Sequence, residues 1–168
     1  IYGGDADFTN MRSYFYATGY GRAMSCDDFT TAENSARWGV PDHITFPRGE
    51  KESARQNARP FMKTFLTLSS HEPFDVPMSR LEHPYLNSVA YTDSCLGAFV
   101  DTLRQSPLWE NLLIVFVADH TMRYPAGIQE HEVKRHHIPM VWCGGAVRGH
   151  RFVVDYGSQL DLVETLLA

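Results

Sequence analysis

The order of apolar and polar positions along the chain predicts strands that alternate with helices. Residues 112–118 are apolar at every position, which is typical of a strand covered on both faces, as in a parallel sheet flanked by helices. The apolar runs 61–68 and 138–143 indicate two further strands, and 152–156 indicates a short one.

Helical spacing accounts for most of the remaining pattern. Apolar residues recur every three or four positions over 84–105, which predicts a helix with one buried face. Another helix is predicted over 8–19, with Gly19 as its stop. The polar stretch 51–59 is predicted as a short helix that ends before Pro60.

Helix breakers and caps define the other segments. Residues 25–50 are polar, and Pro47 is among the residues expected to interrupt regular structure there. Either Ser158 or Asp161 is expected to cap a terminal helix that extends to Leu167.

The alternation predicts an α/β fold with a mainly parallel sheet flanked by helices. Ligands bind such sheets at the carboxyl ends of the strands, so the loops after the three main strands are expected in one neighbourhood. Because neighbouring strands are about 4.8 Å apart, His71 is expected within roughly 12 Å of Asp119 and His120.

Composition narrows the protein class. The 168 residues suffice for one globular domain, and the net charge of −5 argues against a nucleic-acid partner. The chain has no apolar run of membrane-spanning length and no signal-peptide pattern. Since it opens on Ile1 rather than Met, we expect it to be cut from a longer protein whose targeting and membrane segments lie upstream.

The dipeptide Asp119-His120 ends the most apolar predicted strand. A carboxylate oxygen and an imidazole nitrogen suit Zn²⁺ or Mn²⁺ as ligands. The alternative is a capping Asp followed by an incidental His. His71 follows another predicted strand, where it would donate a hydrogen bond to an anionic oxygen or move a proton; the alternative is a surface-loop histidine.

Two further groups of charged residues have both a functional and an ordinary interpretation. The basic residues between His131 and His137 form either an electropositive rim for an anionic substrate or a solvated loop. We favour the loop for all except His137, which abuts a predicted strand. Asp5 and Arg12 flank the start of the first helix, where a helix cap and a surface charge are the ordinary interpretations.

The order of short motifs along the chain is more specific than any one of them. The opening Tyr-Gly-Gly-Asp-x-x-Phe-x-Asn-x-Arg is followed by Trp38-Gly39-Val40, Ser69-Ser70-His71-Glu72-Pro73-Phe74, Tyr91-Thr92-Asp93, Ala118-Asp119-His120, His137-Ile138-Pro139-Met140 and Gly157-Ser158-Gln159-Leu160-Asp161. This series resembles the sulfatase-like catalytic domain of the lipoteichoic acid synthase and phosphoglycerol transferase group, in the alkaline phosphatase superfamily.

The resemblance implies roles for particular residues. Asp119 and His120 would hold a divalent metal, Mn or Zn, with Mg or Ca as alternatives. His71 would lie against the phosphoryl group of the substrate. Asp5 and Arg12 would contribute to the polar end of the substrate pocket, although their spacing differs by a residue from that of the synthases, which also have an aromatic residue at the position of Thr9.

The resemblance also implies what the chain lacks. The family's nucleophile and an acidic metal ligand lie upstream, so residues 1–168 are expected to be the C-terminal portion of a sulfatase-like catalytic domain, without turnover of its own. The parent is expected to be a metal-dependent transferase or hydrolase of phosphate or sulfate esters, with phosphoglycerol transfer favoured. Its substrate is expected to be lipid-linked and its location extracytoplasmic, with a membrane tether upstream. The alternative is a non-catalytic α/β binding or regulatory module.

Overall fold

Four α-helices and one two-stranded sheet form the regular structure of the described residues. A computed structural model describes residues 1–54 and 60–168. They divide into two compact units, Ile1–Ser106 and Pro107–Ala168. The elements are α1 (Met11–Ala17), α2 (Asp42–Ala54), α3 (Pro84–Arg104), β1 (Ile114–Val117), β2 (Met140–Cys143) and α4 (Asp161–Leu167).

An aromatic cluster holds α2 against α3 in the first unit. The ring centroids of Phe46 and Phe99 are 5.0 Å apart, and Phe65 lies 5.5 Å from Phe46 and 5.2 Å from Phe99. Such tilted aromatic pairs contribute roughly 0.5–1.5 kcal/mol each beyond the area they bury. The segment around Phe65 is therefore fixed against both helices.

Helix α3 confirms the predicted helix over 84–105, but its buried face includes polar residues as well as apolar ones. Pro84 opens the helix, where its missing N–H costs no intrahelical bond. Its buried positions include Ser88, Thr92 and Phe99, whereas the apolar Val89 is 41% exposed. Polar residues are buried there because they have hydrogen-bond partners, which apolar periodicity does not reveal.

The predicted helix over 8–19 is shorter and begins with a kink. A 3₁₀ turn spans Phe8–Asn10, and Thr9 and Asn10 both have left-handed φ angles, of 53° and 61°. Helix α1 therefore starts only at Met11. Gly19 has φ of 95°, the left-handed conformation expected of a residue that stops a helix.

The expectation that Pro47 interrupts regular structure is wrong, because Pro47 lies inside α2. Proline deprives a helix of one hydrogen bond and normally kinks it. Here the neighbouring Phe46 packs on α3, so tertiary contacts offset the loss. The short helix predicted over 51–59 is the end of α2 as far as Ala54, and its remainder lies outside the described residues.

The strand predicted over 61–68 is not formed. Leu66 makes a single parallel bridge with Tyr2, and its N–H donates to the carbonyl of Ile1 at 3.0 Å. Within residues 1–54 and 60–168, the backbone pairing of this segment is with Ile1 and Tyr2, which is too short a neighbour to form a ladder. The apolar segment 152–156 is likewise not a strand, since it pairs with none of the described residues.

The strand pairing in the second unit differs from the predicted parallel arrangement. Strands β1 and β2 are antiparallel, with Val117 opposite Met140 and Ile114 opposite Cys143. Parallel neighbours need a crossover, usually through a helix. The connection between β1 and β2 contains only the 3₁₀ turn Val133–Arg135, so the chain returns alongside β1 in the opposite direction.

Among the helices that the structure describes, none combines the length and the apolar character needed to cross a bilayer.

Candidate functional site

His71 lies at the tip of a turn in the first unit. Its N–H donates to the carbonyl of Leu68 at 2.9 Å, and its own carbonyl accepts from the N–H of Phe74 at 2.9 Å. Phe74 has a left-handed φ of 64°, so the chain reverses sharply after the histidine. Hydrogen bonds from both the N–H and the carbonyl of His71 therefore fix its backbone, and with it the point from which the side chain extends.

The ring of His71 is oriented by Glu72 and Trp38. Its Nδ1 lies 2.9 Å from the backbone oxygen of Glu72, which also accepts the indole N–H of Trp38. The Trp38 and His71 rings meet edge to face, with centroids 4.9 Å apart. A carbonyl oxygen only accepts, so Nδ1 carries the hydrogen and Nε2 keeps its lone pair. Nε2 is thus the atom that can take up or deliver a proton.

A cavity of about 340 Å³ opens beside this ring. Trp38 and His71 line it, together with Arg37, His43 and Asp75. Its size falls in the range of small-molecule sites, which start at about 300 Å³. The walls combine an aromatic face with charged and titratable side chains, a combination suited to a small polar group.

Arg12 is held by two carboxylates, neither of which is Asp5. Its Nε and Nη2 lie 2.7 and 3.1 Å from the carboxylate oxygens of Asp7, and Nη2 lies 3.0 Å from Asp27. The hydrogen bond from Arg12 lowers the pKa of Asp7, and the same bond raises the pKa of Arg12. Asp5 accepts the N–H of Asp7 at 2.8 Å. The segment around Arg12 thus carries more negative than positive charge.

Trp38 links this opening segment to His71. The ring centroids of Phe8 and Trp38 are 6.3 Å apart, and Trp38 also contacts His71. Two of the sequence motifs, far apart along the chain, therefore meet at one face of the first unit through Trp38.

Asp119 and His120 converge just after β1 in the second unit. Oδ1 of Asp119 accepts the backbone N–H of His120 at 2.9 Å, and Oδ2 lies 3.5 Å from Nε2 of His120. Nδ1 of His120 lies 2.8 Å from the backbone oxygen of Thr121. As with His71, the carbonyl leaves Nε2 with its lone pair, and this nitrogen faces the carboxylate.

This geometry fits the two residues as ligands of one metal ion. Two ligands of a tetrahedral ion with bonds of about 2.1 Å lie about 3.5 Å apart, as Oδ2 and Nε2 do. A metal-binding histidine also donates its other N–H to a carbonyl or carboxylate, which matches the contact of His120 with Thr121. Within residues 1–54 and 60–168, no three His, Cys, Asp or Glu side chains are grouped to hold an ion, so the pair would supply part of a site.

The loop after His120 is tied down by Arg135, which we expected to be solvated. Only 14% of its side chain is exposed. The guanidinium donates to the hydroxyl of Thr121 and to the backbone oxygen of Met122, and Thr121 donates to the carbonyl of Arg135. The interpretation of this arginine as a surface charge was wrong because the loop folds back onto it.

The antiparallel pairing changes the position of His137. In a parallel pair it would lie at the end of the sheet opposite Asp119. In the observed register Val117 faces Met140, so the residues before β2 and those after β1 share one end of the sheet. His137 packs against the ring of Tyr156 at 5.8 Å.

Several residues of these sites are not singled out by sequence patterns. Trp38 and Gln159 occur within the motifs, but the motifs assign them no role. Gln159 donates to the backbone oxygens of Ala118 and Asp119 at 2.6 and 3.0 Å and so holds the end of β1. Asp42 and Arg135 lie in polar stretches, and their burial depends on contacts with distant residues.

His71 and the Asp119-His120 pair belong to different compact units. The separation expected between them therefore stays a prediction.

Comparison with known proteins gives a family match over the entire chain. The family model described as "Sulfatase" matches residues 1–168. The curated protein named "Lipoteichoic acid synthase-like YvgJ", from Bacillus subtilis (strain 168), is 32% identical over 67% of this chain and 20% of its own length. "Phosphoglycerol transferase I" of Xanthomonas campestris pv. campestris is 25% identical over 98% of this chain and 26% of its own length.

A solved structure agrees with the sequence comparison. A protein in the alkaline phosphatase superfamily from Vibrio parahaemolyticus superimposes with a TM-score of 0.73 and 29% identity, over 88% of this chain and 38% of that one. The likeness confirms the predicted partial α/β fold of that superfamily. The chain spans a fifth to about a quarter of the length of the two curated relatives.

Proposed function

The chain belongs to the sulfatase family, and on this premise we propose that it is the C-terminal portion of a metal-dependent enzyme that transfers or hydrolyses phosphate or sulfate esters. Phosphoglycerol transfer is favoured, because two similar curated proteins are named a lipoteichoic acid synthase-like protein and a phosphoglycerol transferase. The nucleophile, a further acidic ligand and a membrane tether would come from upstream sequence, and the catalytic domain would lie outside the cytoplasmic membrane.

Asp119 and His120 are the proposed metal ligands within this chain. The observation that supports them best is the 3.5 Å approach of Oδ2 to an Nε2 whose lone pair is left available by the carbonyl of Thr121. A bound divalent ion would supply charge stabilisation for the transferred group and lower the pKa of a nucleophilic hydroxyl. Both residues are largely exposed, at 84% and 76% of their side chains, which leaves room for upstream ligands.

His71 is the proposed proton carrier. When the ester bond breaks, the departing oxygen needs a proton, and Nε2 of a protonated His71 can deliver one while Nδ1–H stays bonded to Glu72. The same nitrogen can regain the proton from an incoming hydroxyl. The cavity of about 340 Å³ beside the ring would receive the organic part of the ester.

Asp5, Arg12 and His137 are proposed substrate-binding residues. Arg12 is already paired with Asp7 and Asp27, so it would bind an anion only by exchanging one of these carboxylates. His137, before β2, would contact the substrate from the end of the sheet that carries Asp119. The excess negative charge around Arg12 makes this region better suited to hydroxyl groups than to a second phosphate.

Replacing His71 in the full-length protein tests the proposal. His71→Ala is expected to lower kcat about a hundredfold or more, since general acid–base catalysis contributes about 10²–10⁴-fold. Bound metal, measured by mass spectrometry, should stay unchanged. His150→Ala, in an exposed position without a proposed role, is the matched control. Activity should be assayed against a glycerol phosphate lipid, another phosphodiester and a sulfate ester.

Two results would contradict the proposal. Unchanged turnover in His71→Ala would remove His71 from the mechanism. Upstream sequence without both a Thr, Ser or Cys nucleophile and an acidic ligand would favour a non-catalytic binding module instead.

A further inference from the structure

Asp42 is a buried carboxylate that the proposed chemistry does not use. It is the first residue of α2, and only 1% of its surface is exposed. A buried carboxyl group is costly unless its oxygens accept hydrogen bonds. The partners of Asp42 therefore indicate why an acid stands at this position.

Both oxygens of Asp42 accept hydrogen bonds from the segment that leads to His71. Oδ1 accepts the N–H of Leu68 at 3.0 Å, and Oδ2 accepts the N–H of Ser69 at 3.3 Å. In return, the N–H of Asp42 donates to the hydroxyl of Ser69 at 3.1 Å. Three hydrogen bonds thus join the start of α2 to two consecutive residues, 26 and 27 positions away.

A fourth bond fixes Asp42 from the side of α3. The hydroxyl of Thr92 donates to Oδ2 at 3.0 Å, and Thr92 is itself buried. The carboxylate therefore connects three parts of the first unit: the start of α2, the middle of α3 and the Leu68–Ser69 backbone. Its own position is set by the packing of the two helices.

The chain of bonds continues from Asp42 to His71. Leu68 donates its N–H to Asp42, and its carbonyl accepts the N–H of His71 at 2.9 Å. A shift of Leu68 would therefore move the histidine. A misplacement of about 1 Å at a reacting group can cost about a hundredfold in rate.

We propose that Asp42 is a positioning residue for His71, acting through the backbone of Leu68 and Ser69. The proposal rests on the function proposed above for His71. It assigns Asp42 no contact with the substrate. Its effect on catalysis must therefore pass through the histidine.

A double-mutant cycle in the full-length protein separates this role from general stabilisation. Asp42→Asn keeps one carbonyl oxygen as an acceptor but loses the second, and it is expected to lower kcat/KM about tenfold to a hundredfold. In a His71→Ala background the same change is expected to cost less than about threefold, because the group being positioned is gone. Metal content should be unchanged in all variants.

Two further variants keep the cycle interpretable if Asp42→Asn folds poorly. Thr92→Val removes only the hydroxyl bond to Oδ2, so a smaller loss is expected, again absent when His71 is alanine. Asn87→Ala is the matched control, since Asn87 is also buried on α3 and holds the backbone of Arg80 and Leu81 by similar bonds. It should lower the urea midpoint without lowering kcat/KM.

The outcomes distinguish the two proposals. If His71→Ala slows turnover, but Asp42→Asn or Thr92→Val lowers kcat/KM by the same factor with and without His71, then Asp42 is not a positioning residue. The role of His71 stands in that case. If His71→Ala leaves turnover intact, both proposals are overturned. Equal losses of kcat/KM in Asn87→Ala and Asp42→Asn would show that Asp42 acts only by stabilising the fold, which would overturn the positioning role.

Discussion

Two histidines of the proposed site are oriented by the same kind of hydrogen bond. In His71 and in His120, Nδ1 faces the backbone oxygen of the following residue, at 2.9 and 2.8 Å. A backbone carbonyl is a fixed acceptor, so it selects one tautomer and orients the ring. Both rings consequently offer Nε2 for chemistry, one toward a proton and the other toward a metal ion in our proposal.

Tyr91 gives a residue-scale prediction about alkaline stability. Burial raises the pKa of its hydroxyl, which contacts Nδ1 of His43 at 2.5 Å. Above about pH 10 the unfolded chain loses this proton while the folded chain keeps it, so the free energy of unfolding falls as the pH rises. Urea unfolding between pH 8 and 11, monitored by fluorescence, should show this fall.

Tyr91→Phe should make the alkaline slope shallower, because phenylalanine has no proton to lose. The variant should also be less stable at neutral pH, since His43 loses its partner. Identical slopes for the variant and the unmutated protein would contradict the assignment of this pH dependence to Tyr91.

At the scale of elements, a close backbone approach in the first unit depends on a glycine. Gly39 has φ of 136°, and a Cβ there would lie 2.1 Å from the backbone oxygen of Gly3. The next residue, Val40, donates its N–H to the same oxygen at 2.8 Å. Only glycine allows the segment that carries Trp38 to approach the opening turn so closely.

Two alanine substitutions of glycine should therefore have opposite effects. Gly39→Ala is expected to lower the free energy of unfolding by more than about 1 kcal/mol, through both the backbone conformation and the clash. Gly97→Ala, in α3 with no atom near its Cβ position, should raise it by about 0.5–1 kcal/mol. Urea midpoints measure both, and stabilisation by Gly39→Ala would contradict the described approach to Gly3.

At the scale of the whole molecule, the chain has the fold of the alkaline phosphatase superfamily but spans 38% of the solved relative. Its described residues contain two converging metal-ligand candidates and no group of three. Closed metal sites usually have three or four protein ligands, and catalytic sites add a water. These facts agree with the proposal that upstream sequence completes the site.

The isolated 168-residue chain should accordingly bind metal weakly and show no turnover. Calorimetric titration with Mn²⁺ and with Zn²⁺ should give affinities weaker than micromolar, since two ligands hold an ion poorly. His120→Ala should weaken binding further. Submicromolar affinity that survives His120→Ala would mean that the metal binds elsewhere.

Local features of the sequence were sufficient for part of this description. The existence of a strand within 112–118, the helix α3 and the stop at Gly19 were predicted correctly, because each depends on residues adjacent in the chain. The expectation that the strand is covered on both faces was wrong, since Val117 is 38% exposed. The order of motifs led to the correct family and fold class. The functional roles of His71, Asp119 and His120 stay predictions.

Tertiary structure decided the features that depend on distant partners. The antiparallel pairing of β1 and β2, the burial of Arg135 and the continuation of α2 through Pro47 follow from contacts that no local pattern contains. Asp42 is the clearest case, because its partners lie 26 to 50 residues away. An acid in a polar stretch is ordinarily a surface residue, and only the folded chain surrounds it with donors and makes it part of the His71 turn.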